Sequence, residues 1–378
     1  MLKKAIVITL IISMLSVPVF AEENTLSCKS ALLMDYDSGK ILYEMNPHEK
    51  LPPASVTKIM TMLLTMEEIQ KGNLKYTDIV TASAYAKSMG GSTIFLDEGE
   101  QMSVDDLLKG IAVSSGNDAC VAIAEHISGN TQDFVQAMNK RAKELGMNNT
   151  NFVNCNGLDT PEHYTTAYDI ALMSRELMKH EDIFRYTTIW MDSLRNGEFT
   201  LSNTNKLIRF YDGATGLKTG STSNALFCIS ATAKRDNLHL ISVIMGAPTS
   251  KERQKDASSL LNYGFGKYKN SLPVKKNDTV PDVKISKGTK QYAKVKVTDD
   301  IRVLEEKGSK DEIKIDYKIK KGIKAPVKSG DIAGEVICSQ NGKTLGKSNI
   351  IYTEDINKIN LTYSYGKCVD VWLGNTNN

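Results

Sequence analysis

At 378 residues the chain is long enough for two domains of ordinary size. Its 41% hydrophobic and 24% charged content is that of a globular protein, without a sustained repeat or low-complexity tract. A formal charge of +3 is too small to argue for nucleic acid, and no nucleic-acid partner is expected.

Residues Met1 to Ala21 read as a secretory signal: Lys3-Lys4 is the charged start, Ala5 to Leu15 the apolar core, and Val19-Phe20-Ala21 the cleavage site. The apolar run is shorter than the ~20 residues a spanning helix needs, so cleavage is expected rather than anchoring. The mature protein is therefore expected outside the cytoplasm, in the cell envelope. The six cysteines are sparse and form no CxxC pair; disulfides are permitted, but buried free thiols are expected. The five histidines show no ligand spacing, so no metal and no cofactor is expected.

Ser30–Met34 and Lys40–Glu44 are strand-like runs around the turn Asp35-Tyr36-Asp37-Ser38-Gly39, which predicts a hairpin. Next comes Pro52-Pro53-Ala54-Ser55-Val56-Thr57-Lys58. The prolines fit ahead of a helix or in its first turn, and the apolar run from Ile59 to Ile69 has helical spacing up to Gly72. Ser55 falls near a helix N-terminus, and Lys58 lies one turn on, on the same face. Alone, this pattern is weak evidence and reads first as an N-cap serine with a solvated lysine.

Residues 77–99 are mixed, with a loop at Gly90-Gly91. Ser103 caps a helix with acidic residues in its first turn, running to about Val113. The turn Ser114-Ser115-Gly116-Asn117-Asp118 precedes a helix from Ala119 to Gly129. Further helices are expected at Gln132–Leu145 and Ala167–Lys179. Strands return at 216–220, 225–231 and 238–245, and helical residues from Glu252 to Leu261 follow. Strands at both ends with helices between predict an α+β domain: an antiparallel sheet against a helical cluster. Asn270 to Pro281, polar and interrupted by two prolines, reads as a linker. Alternating segments at 293–297 and 312–319, with turns at Gly330-Asp331 and Asn341-Gly342, predict a small all-β domain. Its lysine-rich outer face reads as solvated rather than as a site for anionic polymer. The expected division is 1–21 signal, 22–267 catalytic domain, 268–281 linker, 282–355 β domain and 356–378 tail.

Ser115-Gly116-Asn117 begins 60 positions after Ser55, and Lys218-Thr219-Gly220 begins 163 after it. One sits on a turn and the other on a strand, places from which side chains can enter a cleft. Together with Ser55-x-x-Lys58 they form, in order, the motif set of penicillin-binding proteins and class A β-lactamases. At these residues the chain resembles the D-alanyl-D-alanine carboxypeptidases among the low-molecular-mass penicillin-binding proteins, over roughly residues 25–265. The turn Asn156-Gly157-Leu158-Asp159 and the run from His163 to Asp169 look similar too.

The resemblance implies a β-lactamase/transpeptidase-like domain followed by the β domain, and a substrate in the peptidoglycan stem peptide, with β-lactam antibiotics as covalent inhibitors. It assigns Ser55 as nucleophile and Lys58 as its base, in keeping with the need of a serine hydroxyl for a nearby base. Ser115 is expected to relay a proton to the leaving amine, with Asn117 holding the substrate amide or the Lys58 head group. Lys218, with Thr219 and Gly220 beside it, is expected to meet the substrate carboxylate. The backbone N–H groups of Ser55 and Ser221 are expected to meet the oxyanion. Arg253 has two readings: positive charge near the carboxylate, or, as favoured here, a surface helix arginine.

A class A β-lactamase shares the three motifs but carries a deacylating glutamate in a Glu-x-x-x-Asn loop; here Glu162 is followed by Thr166. A transpeptidase or endopeptidase would use the same fold, and a wall-binding protein would need only the β domain. Residues 356–378 look unlike a membrane-lying helix, since Leu361 to Gly366 is β-like, so membrane association is doubted.

Overall fold

The computed structural model describes residues 26–373; the leader expected at Met1 to Ala21 lies outside them. The expected hairpin is present as β1 (Ser30–Asp35) and β2 (Ile41–Met45). Helices α1 (Lys58–Gln70), α2 (Val104–Lys109), α3 (Asn117–Ser128), α4 (Thr131–Glu144) and α5 (Ala167–Leu177) follow. Then come β3 (Ala214–Thr222), β4 (Leu226–Arg235), β5 (Leu238–Ala247) and α6 (Ser250–Lys267). The five strands form one antiparallel sheet in the order β2-β1-β5-β4-β3, which puts β3 at an edge.

Period-2 alternation divides this sheet between two cores. Leu32, Met34, Ile241 and Val243 face the helical cluster built on α1, α3 and α5. Ala31, Leu33, Leu240 and Ile244 face Ala257, Leu260 and Leu261 of α6. The α1 helix is apolar on nearly every side because it runs through the first of these cores, with every residue from Lys58 to Met66 buried.

The stretch expected as a linker carries two strands instead. They are β6 (Tyr268–Val274) and β7 (Thr279–Lys284). With β8 (Tyr292–Val297), β9 (Ile301–Glu306), β10 (Lys314–Ile319), β11 (Ile332–Gln340) and β12 (Lys343–Tyr352) they enclose a third core. Here β6 pairs with β9, and the remaining strands form a sheet in the order β7-β8-β12-β11-β10. Pro273 and Pro281 each fall where the register slips, so neither takes a ladder hydrogen bond from a place that needs one.

The tail also departs from expectation: α7 (Leu361–Trp372) is a helix, not a strand. Asn360 caps it by accepting from the Tyr363 N–H, and Leu361, Tyr365, Cys368 and Trp372 recur at helical spacing on its exposed side. The argument from a strand-like tail against membrane contact therefore falls. Among the described residues, no helix is long and apolar enough to cross a membrane. All six cysteines are unpaired, and all except Cys368 are buried.

Candidate active site

Ser55 sits in the tight turn Ala54–Thr57 that opens into α1. Ala54 holds φ at +48°, a conformation uncommon outside glycine, and this turns the chain from the prolines into the helix. Lys58, the first residue of α1, is fully buried. Its Nζ lies 2.9 Å from Ser55 Oγ and donates to Asn117 Oδ1 at 2.6 Å and the Asn156 carbonyl at 2.6 Å. Burial lowers its pKa below the ordinary lysine value, which favours the neutral amine that a base requires.

The third partner, Asn156, belongs to the turn noted above for its likeness to the family, but no role was expected of it there. Its loop is pressed onto the nucleophile turn at Gly157, where φ is +87° and a Cβ would stand 1.9 Å from the Ala54 oxygen. Only glycine fits there. Asn154 Oδ1 fixes the loop by accepting from the Gly157 N–H at 2.6 Å.

Asn117 does not lie on the expected turn but in the first position of α3, after Gly116 as its N-cap. Its Nδ2 donates to the Gly90 carbonyl at 2.7 Å, and its N–H donates to the Ser92 carbonyl at 2.7 Å. The neighbouring Asp118 carboxylate accepts from the Ile94 and Leu96 N–H groups, so residues 90–96 become one wall of the cleft. Ser115 takes a left-handed conformation, with φ at +65°, and its hydroxyl is buried without a partner.

On the opposite wall, edge strand β3 brings Gly220 against the nucleophile: a Cβ there would stand 2.7 Å from the Ser55 nitrogen. Thr219 Oγ1 lies 2.6 Å from Thr204 Oγ1. A cavity of about 160 Å³ opens between the walls, with Ser55, Ser115, Thr219, Gly220 and Ser221 among its lining. Five of the eight expected site residues thus share one cavity; Lys58 joins it through Ser55, and Asn117 through Lys58.

Lys218 is brought close but not into the lining. It is buried, and its Nζ donates to the Thr219 carbonyl at 2.8 Å. Burial first, then repulsion from Lys58 and Arg253, drives its pKa well below the ordinary value.

Arg253 corrects the favoured reading: it is not a surface arginine. Only 5% exposed, it lines the cavity, and its guanidinium donates to Ser250 Oγ at 3.2 Å and to the Gly220 carbonyl at 3.4 Å. Its Nε is buried without a partner, and burial lowers its pKa to about 10. Helical spacing on α6 did not reveal this, because Arg253 turns toward the sheet edge.

The candidate base of the β-lactamase reading, Glu162, is exposed and absent from the cavity lining; Thr166 instead caps α5, accepting from the Asp169 N–H. The buried His163 has a packing role: its Nδ1 accepts from the Val153 N–H, so its Nε2–H donates to Thr57 Oγ1, under the nucleophile turn. Among the described residues, no group of His, Cys, Asp and Glu has the makings of a metal site.

The family model described as D-alanyl-D-alanine carboxypeptidase matches residues 18–249, and that of the penicillin-binding protein 5 C-terminal domain matches residues 268–358. D-alanyl-D-alanine carboxypeptidase DacF of Bacillus subtilis is 45% identical over 334 residues, 87% of this chain and 86% of the relative. Penicillin binding protein 5 of Haemophilus influenzae superposes with a TM-score of 0.72 at 33% identity, covering 88% of this chain and 98% of that one. Penicillin-binding protein D2 of Listeria monocytogenes, solved in its ampicillin-bound form, aligns with 64% of this chain and 99% of its own at 31% identity and a TM-score of 0.57. The motifs, the two cores around one sheet and these likenesses agree, and the chain belongs to the D-alanyl-D-alanine carboxypeptidase family of serine peptidases.

Proposed function

We propose that the protein removes the terminal D-alanine from peptidoglycan stem pentapeptides through an acyl-enzyme on Ser55. The observation that carries this reading is the 2.9 Å separation between the fully buried Lys58 Nζ and Ser55 Oγ, across which the neutral amine accepts the serine O–H. In its neutral form the amine takes the serine proton as Oγ attacks the carbonyl between the two D-alanines. Negative charge grows on that carbonyl oxygen, and the N–H groups of Ser55 and Ser221 meet it. The Ser115 hydroxyl, buried without a partner, passes the proton to the departing amine. Water then hydrolyses the ester and restores Ser55.

A free carboxylate at the substrate end needs fixed donors and positive charge. The Thr219 hydroxyl and the Arg253 guanidinium lie in the cavity, and the buried Lys218 amine stands beside them, donating to the Thr219 carbonyl. The arriving carboxylate favours the charged form of Lys218, and repulsion between the two lysines then keeps Lys58 neutral. Penicillins offer a strained amide and a carboxylate in the same arrangement, so they acylate the same serine.

Such a substrate lies outside the cytoplasmic membrane, and the leader at Met1 to Ala21 supports export. The exposed apolar stripe of α7 supports contact of the tail with a membrane surface.

Ser55→Ala should fold as the parent does, release no D-alanine from a pentapeptide and take up no labelled penicillin. Hydrolysis retained in that variant overturns the assignment. Scoring free D-alanine against cross-linked product separates hydrolysis from peptide transfer.

A further inference from the structure

The tripeptide Asn203-Thr204-Asn205 runs just ahead of β3, and burial along it alternates: both asparagines are buried and the threonine between them is exposed. Asn203 Nδ2 donates to the Ile189 carbonyl at 2.7 Å, and its Oδ1 accepts from the Asn205 N–H at 2.8 Å. Asn205 Nδ2 donates to the Gly216 carbonyl at 2.9 Å, at the start of β3. The Thr204 N–H donates to the Val113 carbonyl at 3.2 Å, in the turn that leads to Ser115. Two buried amides therefore hold one threonine between the two walls of the cleft. That threonine lines the cavity, and its hydroxyl stands 2.6 Å from that of Thr219.

A hydroxyl has one proton to donate. If Thr219 donates to Thr204, it turns only lone pairs toward the cavity and repels an anion. If Thr204 donates, the Thr219 proton stays free for a charge-assisted bond, strengthened by the donor behind it. We propose that Thr204 is a positioning residue, whose hydroxyl donates to Thr219 and so aims the Thr219 proton at the terminal carboxylate of the substrate. The proposal rests on the carboxypeptidase reading above, and Thr204 acts through Thr219 without needing to touch the substrate.

Thr204→Val keeps the branched shape and the backbone N–H but has no hydroxyl; Thr204→Ser keeps the hydroxyl. On a diacyl-L-lysyl-D-alanyl-D-alanine peptide, the valine variant should lose about tenfold in kcat/KM, chiefly through KM. The serine variant should recover to within about threefold of the parent. On the C-terminal carboxamide of the same peptide, parent and valine variant should be equal, with the same thermal midpoint. Equal losses on acid and amide, no loss on the acid, or no recovery with serine would overturn the proposal. If the parent releases no D-alanine, the carboxypeptidase reading fails, and acylation of Ser55 by benzylpenicillin and by its methyl ester then decides for Thr204. Slower acylation of the valine variant by the acid alone supports the role; equal slowing, no slowing, or no acylation of the parent overturns it.

Discussion

Asn117 is bound on both sides of its amide: its Oδ1 accepts from Lys58 at 2.6 Å while its Nδ2 donates to Gly90 at 2.7 Å. One side chain thus ties the base to the wall of the cleft. Asn117→Leu keeps the volume and removes both bonds. Penicillin acylation should fall about 100-fold or more, as expected when a general base is misplaced. The fold should lose about 1–3 kcal/mol, the cost of buried groups left unpaired. Stopped-flow acylation and urea denaturation measure the two effects; a loss of stability without a loss of rate would contradict the positioning role.

Acylation should depend on pH in a defined direction. Burial lowers the Lys58 pKa, and the neutral amine is the reactive form, so the rate should rise as pH increases through that lowered value. At the alkaline end, Arg253, lowered to about 10, loses its charge and carboxylate capture weakens, giving a bell. Asn117→Asp puts a negative charge against Lys58, which stabilises the ammonium and should move the acid limb to higher pH. A rate that falls as pH rises along the acid side of the profile would be incompatible with a lysine base.

Two glycines set how near other chain segments come to the nucleophile. Gly157→Ala places a Cβ 1.9 Å from the Ala54 oxygen, a clash with backbone at a positive φ. It should destabilise the fold by several kcal/mol and lower the yield of soluble protein. Gly220→Ala places its Cβ 2.7 Å from the Ser55 nitrogen, so the edge strand must retreat from the serine. That variant should fold yet acylate at least about tenfold more slowly. Parent-like acylation by it would show that strand proximity is not needed.

His163 and His239 are buried, and burial pushes each pKa down to about 4 from 6.5. Below pH 6.5 the unfolded chain takes up protons that the folded chain refuses, so stability falls as pH drops toward 4. Each histidine contributes about 3 kcal/mol to that loss. Urea midpoints from pH 7 to 4.5 should therefore drop, and His163→Gln with His239→Gln should flatten the slope by roughly two protons. An unchanged slope would show that these rings already accept protons in the native state.

The parts legible in the sequence are those that a short local pattern encodes. Ser55 and Lys58 are one helical turn apart, the hairpin turn at Asp35 to Gly39 carries its own signal, and Ser103 caps its helix as expected. What stayed hidden depends on partners distant in the chain. Asn156 contributes a backbone carbonyl, which any residue has; Arg253 is an ordinary helix arginine until α6 meets the sheet; Thr204 is defined by the asparagines on either side of it. Pro273 and Pro281 broke a strand pattern that register slips accommodate, and Thr362, Tyr363 and Tyr365 after Asn360 gave a β-like reading to a capped helix.

The distribution of thiols has a practical consequence. Cys28, Cys120, Cys155, Cys228 and Cys338 are all buried, and burial raises the pKa of each, so they are poor nucleophiles in the native protein. Cys368 alone is exposed, on the same stripe of α7 as Tyr365 and Trp372. A maleimide dye added to the unmutated enzyme should attach once, at that position. With vesicles of anionic lipid its emission should shift to the blue; an emission spectrum that ignores lipid would place the stripe in water. The natural sequence thus supplies its own optical probe at the surface whose neighbour most needs identifying.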